Sequence, residues 1–143
     1  MGSASGLVQA LRVDSGCVYW TFEAAGPVRS AILAVPSGEK LSGDKNVLLF
    51  GDQVGWFYAQ DAETGRLQWK KRPEPHEAVR LTGAPVAYGG NVFVPVSSWE
   101  ETRTTIANYP CCTFRGSIVA FRIKDGSQVW KTYTIPEKPR LTG

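Results

Sequence analysis

The 143-residue chain contains three cysteines and one histidine, with no CxxC and no CxxCH. Three cysteines are too few for a disulfide scaffold, and this inventory excludes a zinc site and a covalently attached haem. No apolar run approaches the roughly 18 residues that a membrane-crossing helix needs, so no membrane partner is expected. Neither sign of charge dominates. Sixteen basic residues face thirteen acidic ones, for a net charge of +3, and the basic residues are scattered, which argues against a nucleic-acid partner. Their densest group, Lys70, Lys71 and Arg72, is expected to end a strand in solvent. The opening "MGSASG" has neither the charged nor the apolar region of a secretion signal, so residues 1–6 are expected to be a disordered or vector-derived start that leaves the compartment unread. Helix signals are poor.

Turn formers and large aromatics are abundant: 15 Gly, 9 Pro and 5 Trp. Together they point to many short strands joined by tight turns. Three segments superimpose without a gap, "GLVQALRVDSGCVYW" (6–20), "GWFYAQDAETGRLQW" (55–69) and "GSIVAFRIKDGSQVW" (116–130). In each, Gly leads, Ala follows (Ala10, Ala59, Ala120), then a second Gly (Gly16, Gly65, Gly126), and Trp closes (Trp20, Trp69, Trp130). Period-two alternation on either side of a glycine turn makes each unit a hairpin. Asp61 and Thr64 suit the turn because their side chains can bond its amides. The closing Trp is large enough to wedge between one sheet and the next.

Further strands lie between the hairpins: "VRSAILAV" (28–35) and "NVLLFGD" (46–52) before the second, "GAPVAYGG" (83–90) and "NVFVPVSS" (91–98) before the third. The Trp-to-Trp intervals are 49 and then 61 residues. Four-stranded antiparallel sheets at such a period are blades of a β-propeller. The fold class is therefore all-β, a partial propeller. A half-blade occupies 7–26, a first full blade 27–78 and a second 79–139, and "RLTG" at 140–143 repeats the "RLTG" of 80–83 as the start of a further unit. The longer second interval reflects an insert at about 98–115.

That insert holds the adjacent cysteines, Cys111 and Cys112. Neighbouring Cα atoms across a trans peptide are about 3.8 Å apart, less than the roughly 4.4–6.8 Å an ordinary disulfide spans. Two free thiols are the default and a strained small ring the alternative. Arg115 is open to pairing with Glu100 or Glu101. Glu100, Glu101 and Asn108 carry calcium-compatible oxygens, but the plain reading is that they are solvated loop residues. His76, in "RPEPHEAVR", has no serine or thiol partner nearby in sequence and is expected to be a solvated loop histidine. Cys17 is expected to be a packed residue.

The signature A-x-D-x-x-T-G-x-x-x-W, unbroken at Ala59, Asp61, Thr64, Gly65 and Trp69, resembles the tryptophan-docking repeat of quinoprotein alcohol dehydrogenases, eight-bladed propellers that hold pyrroloquinoline quinone (PQQ) on their axis. In the other two copies the Asp position is Arg12 or Arg122 and the Thr position is Ser15 or Asp125. "CCTFRG", with "GCVYWTFEAAGPVRSA" and "VPVSSWEE", is most similar to the polyvinyl alcohol dehydrogenase group. The resemblance implies that Cys111 and Cys112 form a ring against the quinone and that Arg115 reaches the cofactor. It also implies calcium alongside PQQ and a periplasmic setting. No residue matches the family's catalytic aspartate or calcium ligands, and its haem segment has no counterpart here. The expectation is a relative covering about two and a half blades, with a remnant of the quinone site and no catalysis alone. The alternative is an oligomeric propeller-like binding module without PQQ. An open stack of blades leaves apolar sheet faces in water. A homo-oligomer is therefore expected, a dimer first.

Overall fold

A computed structural model of the chain describes residues 1–36 and 46–140. Among these described residues, eleven strands form three antiparallel sheets and one helical turn follows the ninth strand. The first is a hairpin of β1 (Leu7–Leu11) and β2 (Val18–Glu23). The second is a four-stranded blade in the order β3 (Leu33–Pro36), β4 (Asn46–Gly51), β5 (Phe57–Asp61), β6 (Leu67–Lys71). The third is built on β7 (Val79–Arg80), β9 (Asn91–Ser98), β10 (Ser117–Arg122) and β11 (Gln128–Tyr133), with β8 (Val86–Tyr88) also paired to β9. A half-blade followed by two full blades is the architecture expected from the repeat. The tail beyond Arg140, expected to open another unit, lies outside the described residues.

The repeat is geometric as well as textual. Ala10 pairs with Trp20, Ala59 with Trp69 and Ala120 with Trp130, and each hairpin slips register immediately after that alanine. A small residue opposite each indole leaves the ring room to lie flat, and the bulge sharpens the local twist. The turns match too. Gly16, Gly65 and Gly126 have φ of 70°, 70° and 68°, and each donates its N–H to the carbonyl four residues earlier at 2.9 Å. In the middle hairpin, Asp61 Oδ1 accepts from the amides of Glu63 (3.1 Å) and Thr64 (2.9 Å), the local role its residue type suggested.

The middle blade is covered on both faces. Alternation sends Phe50 and Tyr58 toward the half-blade, where Val8 and Val28 complete one cluster. It sends Val47, Leu49, Phe57 and Ala59 toward the third sheet, where they meet Val94, Val119 and Phe121. Phe57 to Ala59 are consequently all buried in succession, as strands sandwiched between layers must be. Burial of this apolar area is the main force holding the sheets together.

Three differences from the sequence reading have local causes. The strand expected over 28–35 begins only at Leu33. Before it, the Val28 amide bonds the Ser3 carbonyl at 2.9 Å and the Ser30 hydroxyl bonds the Gly51 carbonyl at 3.0 Å, so this stretch serves as a strap rather than a ladder. Residues 1–6, expected to be a disordered or vector-derived start, are placed against the half-blade, with a bridge from Gly2 to Val8 and the Met1 ammonium on the Gln9 carbonyl at 2.6 Å. Cys17, expected to be packed, is exposed, because it lies just after the Gly16 turn and ahead of β2, outside the ladder.

Candidate functional site

The insert leaves β9 at Ser98 and is pinned at once, the Trp99 amide donating to the Ala78 carbonyl at 3.1 Å. Two guanidiniums lie near the Trp99 ring, with Arg80 Cζ at 4.1 Å and Arg103 Cζ at 5.2 Å from its centroid, and Arg103 is also ion-paired to Glu77. A single helical turn, α1 (Glu100–Arg103), follows. The hydroxyls of Thr102 and Thr105 bond carbonyls three residues back at 2.9 Å, a local pattern that holds such a turn without a long helix. Asn108 then takes φ 65°, a left-handed conformation that asparagine tolerates better than most residues.

Glu100 organises what comes next. It is 3% exposed, which corrects its reading as a solvated loop residue. Its Oε1 accepts from the Thr113 amide at 2.9 Å, the Thr113 hydroxyl at 3.3 Å and the Tyr109 hydroxyl at 3.1 Å, while Oε2 accepts from the Phe114 amide at 2.8 Å. The carboxylate thus clamps the chain on both sides of the two cysteines. Burial pushes its pKa up, but the Thr113 and Phe114 amides and the Tyr109 hydroxyl outweigh burial and hold it below the ordinary value.

His76 belongs to the same network, not to solvent. Its Nδ1 accepts from the Ala78 amide at 3.1 Å and its Nε2 lies 3.0 Å from Thr113 Oγ1. With Nδ1 accepting, the neutral ring carries its proton on Nε2 and donates it to Thr113, which leaves the threonine hydroxyl hydrogen for Glu100. The ring also stands edge-on to Phe114, with centroids 5.4 Å apart.

Cys111 and Cys112 are bonded to each other across a cis peptide, so the ring and not the pair of thiols is present. With Pro110, Thr113, Pro139 and Arg140 they line an open cleft of about 420 Å³, within the size range of small-molecule sites. Glu100 Oε and the two sulfurs lie within 4.8 Å of one another, but disulfide sulfurs are not thiolates and Glu100 is fully engaged by donors, so this cluster is no metal centre. Glu101 and Asn108 are exposed. Arg115 turns the other way. Its Nη1 donates to the Pro136 carbonyl at 2.7 Å and its guanidinium lies 3.6 Å over the Tyr133 ring, so it pairs with neither Glu100 nor Glu101. Of the three expected cofactor residues, the structure brings Cys111 and Cys112 together at the cleft and sets Arg115 on the outer strand, while Arg140 occupies the cleft wall. The Glu100–Thr113–His76 network and Arg140 went unanticipated because their partners are distant in sequence.

Residues 1–142 match the PQQ_2 family, described as outer membrane protein assembly factor BamB. The polyvinylalcohol dehydrogenase of Sphingopyxis sp. (strain 113P3) is 39% identical over 140 residues, 96% of this chain and 21% of that protein. The polyvinylalcohol dehydrogenase of a Pseudomonas species is 38% identical over 139 residues, with the same coverage of 96% and 21%. Among solved structures, the quinohemoprotein alcohol dehydrogenase of Comamonas testosteroni superimposes with a TM-score of 0.64 at 22% identity over 93% of this chain and 19% of that one. The chain spans about one fifth of the length of the dehydrogenases it matches. A half-blade and two blades joined by docked tryptophans, with a bonded cysteine pair in the insert of the last, are similar to the propeller repeats of these dehydrogenases, and the chain belongs to the PQQ_2 family.

Proposed function

We propose that the Cys111–Cys112 cleft is one wall of a PQQ site, inherited from a quinoprotein alcohol dehydrogenase and not catalytic in this chain alone. The observation that supports it is the cleft itself, in which the disulfide, Pro110, Pro139 and Arg140 share one lining. A flat, polarisable sulfur edge suits the face of a planar tricyclic quinone, and a guanidinium suits its carboxylates. When bound in a complete propeller, PQQ supplies the two-electron chemistry of alcohol oxidation. The residues here contribute binding and orientation. The disulfide offers a rigid surface, and Glu100 fixes that surface by holding the amides of Thr113 and Phe114. Arg115, next to Gly116 as in the family motif, would serve the acidic edge only by leaving the Pro136 carbonyl and the Tyr133 ring that hold it. Calcium accompanies PQQ in this reading, and the periplasm is the compartment that fits it.

The test is a titration of the chain with PQQ and calcium, followed by absorbance and by melting temperature. A saturable shift is expected, abolished by reduction and alkylation of the cysteines. Arg140→Ala and Arg115→Ala, measured separately, show which guanidinium meets the carboxylates. A parent chain that shows no shift refutes the reading. A propeller-like binding module without PQQ is the second reading, favoured by the outward exposure of Val129 and Trp130 on the last strand.

A further inference from the structure

One short segment grips the insert at three places. Residues 72–78, "RPEPHEA", run from the end of the middle blade to the start of the last, and Pro73 and Pro75 restrict the backbone on either side of Glu74. The Ala78 carbonyl takes the Trp99 amide at 3.1 Å, where the insert begins. Glu77 is ion-paired to Arg103 in the helical turn. His76 holds the far end, with Nε2 3.0 Å from Thr113 Oγ1 and its ring edge-on to Phe114. The two cysteines lie between the second grip and the third.

A charge pair stands behind the gripping segment. Glu74 is 8% exposed, a place a carboxylate takes only when its oxygens are satisfied. Its Oε2 is ion-paired to Lys131 Nζ, and its Oε1 accepts from the His76 amide at 3.1 Å. Lys131 stands opposite Val119 in the ladder of β10 and β11 and so shares the side that meets the middle blade. Its ammonium also donates to the Pro73 carbonyl at 3.4 Å, and the Glu74 carbonyl takes Arg72 Nε at 3.2 Å. A continuous path of bonds thus leads from β11 through Glu74, the His76 amide, the His76 ring and Thr113 to the buried Glu100 carboxylate.

We propose that Glu74 and Lys131 are positioning residues for the disulfide wall of the cleft, acting through His76. Neither residue lines the cleft, so their effect on it is indirect. Removing one member of a buried pair leaves the other charge uncompensated, and the segment that carries His76 must then shift to bring that charge to water. Such a shift takes the imidazole off Thr113 and loosens the chain that follows the cysteines. The effect on loop order needs only these bonds, whereas the effect on a ligand rests on the quinone reading.

Hydrogen exchange of the ligand-free chain at neutral pH tests the loop first. Lys131→Met keeps the length of the side chain without its charge. The Thr113 and Phe114 amides are expected to lose protection by roughly three- to thirtyfold, the span of couplings carried by contiguous networks, while the amides of the β4 and β5 ladder keep theirs. Lys131→Arg retains a cationic donor and is expected to stay close to the parent. Glu74→Gln, nearly isosteric, is expected to repeat the Lys131→Met pattern and serves if that variant does not fold. In a His76→Phe background, which keeps a ring beside Phe114 but no ring nitrogen, the Lys131→Met effect at Thr113 is expected to vanish. Protection lost equally in the ladder, no loss at Thr113, or the same loss with and without His76 overturns the proposal. Titration with PQQ and calcium is the second arm. If the parent binds, Lys131→Met is expected to weaken binding by a similar factor, and an unchanged midpoint overturns the positioning role. A parent that ignores PQQ refutes the quinone reading alone, and the exchange result still decides whether the pair positions the loop.

Discussion

The Tyr58 hydroxyl donates to Asp52 Oδ2 at 2.6 Å and accepts from the Ala25 amide at 2.9 Å. One buried phenol therefore ties the middle blade to the half-blade. Asp52 is itself anchored by the amides of Val54 and Trp56, which bond its Oδ1 at 3.0 and 2.9 Å. Burial first, and Asp52 second, push the Tyr58 pKa well above its ordinary value, so the group stays a neutral donor. Tyr58→Phe keeps the ring stack on Phe50 but leaves two polar groups without their partner. Chemical denaturation is expected to show a loss of about 1–3 kcal/mol.

Gly65→Ala combines two penalties. Its φ of 70° disfavours a side chain, and the added Cβ would stand 2.6 Å from the Trp20 ring. The left-handed conformation alone costs roughly 1–2 kcal/mol, which is all that Gly16→Ala should show, since a Cβ there meets nothing within 4 Å. Melting of the two variants side by side is expected to find Gly65→Ala clearly the worse, and the difference measures the docking of Trp20.

Gln60 sits in β5 with its side-chain amide fully buried and without a hydrogen-bond partner among the described residues. An unmet buried amide is costly, whereas a methionine of similar length is not. Gln60→Met is expected to stabilise the fold by about 1 kcal/mol, read as a higher denaturation midpoint at unchanged slope.

The clamp on the cysteine loop is pH-dependent in a defined direction. The folded Glu100 pKa lies below its model-compound value of 4.5, so the group's stabilising contribution is complete above that value and is lost as pH falls through the lower folded one. The protection factors of the Thr113 and Phe114 amides, taken relative to the intrinsic exchange rate at each pH, are expected to fall on acidification through this window. In Glu100→Gln the acid-dependent step disappears, and the loop is looser even at neutral pH.

Alkylation reads the cysteines directly. Cys17 is exposed and Cys111 is bonded to Cys112, so intact-mass measurement is expected to find one label without reductant and three with it. Three labels without reductant would contradict the bonded pair.

The blade plan was legible because each hairpin repeats the same small set of demands: a small residue opposite an indole, a left-handed glycine and alternating apolar positions. Such demands are local and survive as spacing. Ala59, Gly65 and Trp69 announced a structural role that the coordinates bear out. The cysteine loop was legible only by resemblance. Nothing in the spacing of Glu100, Thr113 and His76 marks a shared network, since His76 and Thr113 are 37 residues apart and meet only once the last blade has folded. The same holds for Glu74, buried and ion-paired to Lys131, although both look like ordinary surface charges in sequence.

Each inter-blade joint, Trp20 on Gly65 and the Ala62 carbonyl or Trp69 on Gly126 and the Ile123 carbonyl, consists of one indole, one glycine and one backbone carbonyl, and two of those three carry no side-chain identity that a partner must match. Such a connector is generic. The strands on either side of it can therefore vary in sequence without rewriting how one sheet meets the next.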